Sequence, residues 1–217
     1  MTLADLMTAR LIELADGGGD GFEWDAASAR YRSKSTGRYV SEKRILDITE
    51  RYSAEYLKPK LQDMTQRMID GKMSLGDWQR SMAKEIKDAH IISATAGRGG
   101  RDQMTQSDWG RVGARLRFEY KHLNDFAQEV KDKGITGNTL NRAGMYGEAP
   151  RTAFYDGLTA AKKVAAFTEE RRITNSKETC PDCIGYEAQG WQPIGVLPEP
   201  GQRSVCGHNC KCEKEYR

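Results

Sequence analysis

The sequence predicts a mainly α-helical protein. Long amphipathic helices form a bundle or helical hairpin, and a small stapled α+β segment follows at the C-terminal end. Three observations predict this. Apolar residues recur at intervals of three and four through most of residues 41–168. Capping residues and glycines punctuate those runs. All five cysteines fall in the last 38 residues, and the first 179 have none. Thiolates converging from two short turns make a tetrahedral site for zinc, which would supply the staple. The predicted organisation is an arm, glycine joint and basic turn over 1–40, a helical body over 41–168, and a Cys-rich zinc-binding segment over 169–217.

The elements follow in order. Leu3, Leu6, Met7, Leu11 and Leu14 have helical spacing, and Gly17–Gly21 breaks the run. This short helix either docks on the body or serves as an arm for a partner subunit. Arg30-Tyr-Arg-Ser-Lys-Ser-Thr-Gly-Arg38-Tyr39 is the most basic stretch. Its plain reading is an exposed turn or short hairpin around Thr36-Gly37. Its functional reading is a nucleic-acid contact, with Arg30, Arg32, Lys34 and Arg38 on phosphate and Tyr31 and Tyr39 stacking on bases.

A helix is predicted from Ser41, kinked by Pro59 and ended by Gly71. Ser74-Leu-Gly-Asp77 opens a second helix, running to about Ala96, and Gly97–Arg101 reads as a connector. Thr105-Gln-Ser-Asp108 opens a third, with Trp109, Val112, Leu116, Tyr120, Leu123, Phe126 and Val130 as its stripe and Gly134 as its cap. Met82 to Val130 therefore reads as two antiparallel helices. A fourth helical region spans about Asn138 to Thr168, interrupted at Pro150, with small apolar residues that permit close approach. Glu169–Thr174 reads as a strand leading into the cysteines.

Composition limits the function classes. Hydrophobic residues are 38% and charged residues 30% of 217, which describes a polar chain with a modest core. No apolar run approaches the ~18 residues that would suggest a membrane helix. Residues 1–10 lack a basic patch followed by an apolar stretch, so no secretory signal is expected. A net charge of +3, spread along the chain, gives no dedicated basic face. An odd cysteine count and a reducing cytoplasm both disfavour a disulfide framework.

The chemistry-bearing constellation is Cys180-Pro-Asp-Cys183 and Cys206-Gly-His208-Asn-Cys210-Lys-Cys212. Six candidates exceed the four that zinc needs. Cys180, Cys183, Cys206 and Cys210 form the first choice, a pairing of two turns. Rival sets substitute His208 or Cys212, and the alternation 208-210-212 would put those three on one face of a strand. Four protein ligands close a zinc site and make it structural. The constellations of a His-Asn-His nuclease, a serine or cysteine hydrolase and a zinc deaminase are each incomplete in this chain. Only His90, His122 and His208 are present, with no Gly-x-Ser-x-Gly and no His-x-Glu, so no catalytic residue is assigned.

Arg171-Arg-Ile-Thr174, Cys180-Pro-Asp-Cys183, Trp191-Gln-Pro-Ile-Gly195-Val-Leu-Pro198, Gly201, Cys206 and Asn209-Cys-Lys-Cys212 together resemble a known C-terminal motif. It is that of the minor head proteins of tailed bacteriophages, the head morphogenesis proteins similar to the F protein of phage Mu. Tyr31 to Ser41 also resembles a Tyr-Arg…Thr-Gly-Arg-Phe-Val stretch frequent in phage structural genes. The chain departs from the family at Lys211, where Arg is usual, at His208-Asn209, and in the extra Cys206. The resemblance covers about 45 residues well and the helices loosely. It implies a structural, non-enzymatic virion component inside the capsid near the portal. Portal or major capsid protein, and packaged DNA, would be its partners in head assembly, packaging or ejection.

Overall fold

The computed structural model describes residues 21–175 and 178–217, apart from the side chain of His208. The expected arm helix and the glycines before Gly21 lie outside the described residues. Strands β1 (Phe22–Asp25) and β2 (Arg30–Ser33) pair antiparallel, Phe22 opposite Ser33. The turn between them lies at residues 26–29. The predicted turn at Thr36-Gly37 is a second one, which brings Tyr39 back against Arg32. Gly37 adopts φ +66° there, and its amide donates to the Ser33 carbonyl at 2.8 Å.

Helix α1 (Glu42–Tyr52) begins where Ser41 accepts from the Arg44 amide at 3.2 Å. Where a kink is expected at Pro59, the chain departs from α-helical geometry just before it. Residues Ser53–Leu57 open into a π-helical turn before α2 (Lys58–Ile69), and Pro59 occupies its first turn. A proline ring collides with the carbonyl four residues back, and a π-turn relieves that collision. Gly71, at φ +71°, ends the helix, and the Lys72 amide returns to the Arg67 carbonyl at 2.8 Å.

Helices α3 (Leu75–Arg98) and α4 (Gln106–Lys133) form the predicted antiparallel hairpin. Trp78 meets Phe126 edge-on at 5.3 Å, the Tyr120 hydroxyl donates to the Ala83 carbonyl, and Arg98 pairs with Asp108 at 3.2 Å. One member of each pair rises in number as the other falls. Thr105 and Asp108 complete a reciprocal capping box.

The connector at 97–101 needs correction. Gly97 and Arg98 belong to α3, and the chain turns only at Gly99. The reason is packing against α6 (Pro150–Val164), which follows the short α5 (Thr139–Met145). A Cβ on Gly97 would run into the Phe154 carbonyl, and one on Gly157 into the Ala94 carbonyl. The two glycines let α3 and α6 touch backbone to backbone, which side chains at these positions would prevent. Gly99, at φ +97°, lies under the Trp24 indole.

One apolar core unites these helices. Leu57, Leu61, Trp78, Met82, Ile86, Phe126 and Phe154 are its buried centre. The buried Trp78 indole N–H donates to Thr65 Oγ1 at 2.9 Å, so its burial leaves no donor unmet. No helix among the described residues is long and apolar enough to cross a membrane.

The C-terminal segment is a three-stranded antiparallel sheet, ordered β4 (Gln192–Pro193), β3 (Glu169–Ile173) and β5 (Glu213–Tyr216). Helix α7 (Pro181–Ala188) lies between β3 and β4. Pro181 starts this helix at the position where its missing N–H costs nothing, and the helix runs as far as Ala188.

Candidate metal centre

Two turns build the centre. Cys180 stands at the N-cap of α7 with extended backbone, and Cys183 falls in the first helical turn. The Cys-x-x-Cys spacing thus brings both sulfurs to the start of one helix. A single 3₁₀ turn, Gly207–Asn209, lies between Cys206 and Cys210. The Asn209 amide donates to Cys206 O at 3.0 Å and the Cys210 amide to Gly207 O at 3.1 Å. This overturns the strand reading of 208, 210 and 212. Regular pairing begins only at Glu213, opposite Ile173, because Gly207 turns the chain at φ +49°.

The sulfurs converge. Cys206 Sγ lies 3.5 Å from Cys180 Sγ and 3.7 Å from Cys183 Sγ, and Cys183 Sγ lies 3.7 Å from Cys210 Sγ. These are the four residues preferred from the sequence. Cys212 joins Cys183 and Cys210 with all three sulfurs inside 4.8 Å. All five cysteines are free thiols. The cluster could hold a metal ion. For metal–sulfur bonds of ~2.3 Å, a tetrahedron separates its sulfurs by about 3.8 Å; the three separations above are close to this, although Cys180, Cys183, Cys206 and Cys210 do not all lie within 4.8 Å of one another. The His208 side chain lies outside the described residues, so its place among the ligands is open.

Burial grades the thiols. Cys183, Cys210 and Cys212 are buried, while Cys180 and Cys206 are partly exposed. Burial pushes the Cys183 thiol well up and Cys206 up to about 11. At Cys180 burial acts the same way, but backbone hydrogen bonds from Cys183 and Cys206 outweigh it and bring the thiol down to about 7. A bound cation would replace these protons outright.

Most of the groups around the cluster carry no signal in the residue pattern. Arg151 on α6 reaches it from the helical body. Its Nη1 donates to the Cys212 carbonyl at 2.7 Å, Nη2 to the Lys211 carbonyl at 3.4 Å, and Nε to Glu50 at 2.7 Å. Thr152 beside it donates to the Pro200 carbonyl at 2.8 Å. Arg172 on β3 places Nη1 3.9 Å from Cys210 Sγ and also donates to the Pro198 carbonyl. Asp182 accepts the Val205 amide at 2.8 Å, joining the two cysteine turns. Under the sheet Lys214 is fully buried, 2.8 Å from Glu170 and 3.0 Å from Glu199. Burial pushes the Glu199 carboxyl up to about 7 despite Lys214. The alternation of Glu170 and Arg172 in the strand was the only available signal for an inward polar face.

The basic segment is elsewhere and is already engaged. The guanidinium groups of Arg30 and Arg32 lie 4.7 and 4.8 Å from the Tyr39 ring centroid. Arg32 also lies 3.5 Å from Asp25, and the Tyr39 hydroxyl donates to the same carboxylate at 2.5 Å. Tyr31, expected to stack on bases, is instead buried, and its hydroxyl donates to the Ala96 carbonyl at 2.9 Å. Its position opposite Trp24 in the β-hairpin aims it at the core. Lys34 and Arg38 are exposed. A groove separates α4 from the loop 201–207. Two adjoining cavities of about 430 and 390 Å³ share Phe118, Glu119, Gly201 and Arg203.

Comparison with protein-family models, with curated proteins and with solved structures gives no match for this chain.

Proposed function

We propose that this chain is a structural minor head protein of a tailed bacteriophage, with a structural zinc ion in its cysteine cluster. The observation that carries the reading is the convergence of Cys180, Cys183, Cys206 and Cys210 from two turns whose order resembles that family. Zinc suits the set because four thiolates satisfy a tetrahedral ion and leave no position for substrate. The site is then a staple, the protein is no enzyme, and partner binding falls to other surfaces. The groove beside loop 201–207 supports this, since its rim carries exposed Phe118 and Met145. Portal protein or major capsid protein is the partner, inside the capsid, during head assembly, packaging or ejection.

The test is co-expression with the portal and major capsid proteins of the same genome, followed by mass spectrometry of purified heads. The reading expects a complex with one of them and a few copies per head. Absence from mature heads together with no complex overturns it. Binding to DNA that weakens steeply with salt, and is lost on Arg30→Ala with Arg38→Ala, would support a zinc-knuckle nucleic-acid-binding module instead.

A further inference from the structure

The five sulfurs are arranged as two triads that share one atom. Cys180, Cys183 and Cys206 lie within 4.8 Å of one another, and so do Cys183, Cys210 and Cys212. Among the described residues neither triad extends to a fourth sulfur within that distance. Cys183, at the buried first turn of α7, is the common corner. A tetrahedral ion must draw one sulfur across from the other triad. A trigonal ion finds its three sulfurs in place, since bonds of ~2.3 Å in a plane separate sulfurs by about 4.0 Å.

We infer that the cluster is also a site for two soft monovalent ions of the Cu(I) class, one in each triad, with the Cys183 thiolate bridging them. This rests on the reading of the cluster as a metal site and extends it to a second stoichiometry. Thiolates select Cu(I), which accepts three sulfur ligands. Two zinc ions cannot both be satisfied, because five sulfurs are too few for two tetrahedra even with a shared corner. Five thiolates and two monovalent cations leave a net charge of −3. The Arg172 guanidinium lies 3.9 Å from Cys210 Sγ, and Arg151 donates to the Cys212 and Lys211 carbonyls, so positive charge already stands on the buried side. Each bound ion displaces the protons of its thiols to solvent, and no electron is transferred.

The experiment is anaerobic titration of the full, reduced chain, first with Zn(II) and then, on fresh apoprotein, with Cu(I) against a bathocuproine competitor. Circular dichroism follows helicity throughout. The expected result is one Zn(II) and two Cu(I) per chain, with a copper–copper contribution in the X-ray absorption spectrum of the Cu(I) form. Cys180→Ser and Cys212→Ser should each retain one Cu(I), because each leaves one triad whole, whereas Cys183→Ser should retain none at the same competitor concentration. One Cu(I) in the wild type, or two in Cys183→Ser, overturns the inference and leaves the zinc staple standing. Uptake of neither metal overturns both.

Discussion

The helical body and the cysteine segment solve the same problem with different materials. The body buries Trp78, Phe126, Phe154 and a run of leucines, isoleucines and methionines in one apolar core. The segment buries three of its five thiols, together with Lys214, Glu170 and Arg172. Apolar burial contributes roughly 25 cal/mol per Å² without any directional partner. Buried charges contribute only if each finds its counterpart, and breaking one pair costs about 3–5 kcal/mol. Each region is therefore vulnerable in its own way: the body to changes in volume, the segment to loss of one partner from a buried polar pair.

The two regions can be separated by substitution. Cys183→Ser carries the largest expected effect. It removes the sulfur common to both triads, and a structural metal held there would contribute about 10 kcal/mol or more of apparent folding energy. The segment should lose its order while far-ultraviolet dichroism keeps most of its helical signal. Trp78→Ala should do the reverse. It opens the body core at a cost of about 4 kcal/mol, read as a lower denaturation midpoint, with metal content unchanged. Gly157→Ala follows at about 3 kcal/mol, since the added methyl meets the Ala94 carbonyl rather than a side chain that can swing away. A cost below about 1 kcal/mol would mean that α3 and α6 part easily.

Arg151→Met probes the joint between the regions. It removes donors to Cys212 and Lys211 and the partner of Glu50, and should cost about 2–3 kcal/mol. Metal affinity should fall about 10- to 100-fold, as when groups supporting metal ligands are removed. Unchanged affinity would make the two regions independent. The smallest effect concerns Glu119. Burial raises its carboxyl from 4.5 to about 7, against the opposing charge of Arg115, and His90 Nε2 lies 4.0 Å away. An acid with a raised folded pKa binds protons more tightly when folded. Its contribution is therefore fully present below about 4.5 and is lost as pH rises through 7. Glu119→Gln should flatten that slope by on the order of 2 kcal/mol, measured as unfolding free energy at pH 5 and pH 8.

Much of the body was legible because helices announce themselves locally. Ser41, Ser74 and Thr105 cap the helices they were expected to cap, and Gly71 and Gly134 end them. The errors arose where distant contacts decide. Gly97 reads as loop in isolation, yet it is helical because α6 lies against it. Tyr31 reads as exposed among arginines, yet its strand partner Trp24 turns it inward. The cysteines were legible as a centre because thiolates clustered in sequence have few other uses. The hydrogen bonds and charged side chains around them were not, because Arg151 is 61 positions away from Cys212 and shares no pattern with it. Residue spacing reports what one element does; the clamp between elements depends on how they pack.

Amide hydrogen exchange on the zinc-loaded full chain, before and after the metal is stripped with a chelator, asks whether a metal clasp orders the cysteine segment. Protection should collapse across residues 178–217 while the interiors of Leu75–Arg98 and Gln106–Lys133 stay protected. Unchanged exchange in the cysteine segment after the metal has left, with metal loss verified by elemental analysis, would contradict that clasp.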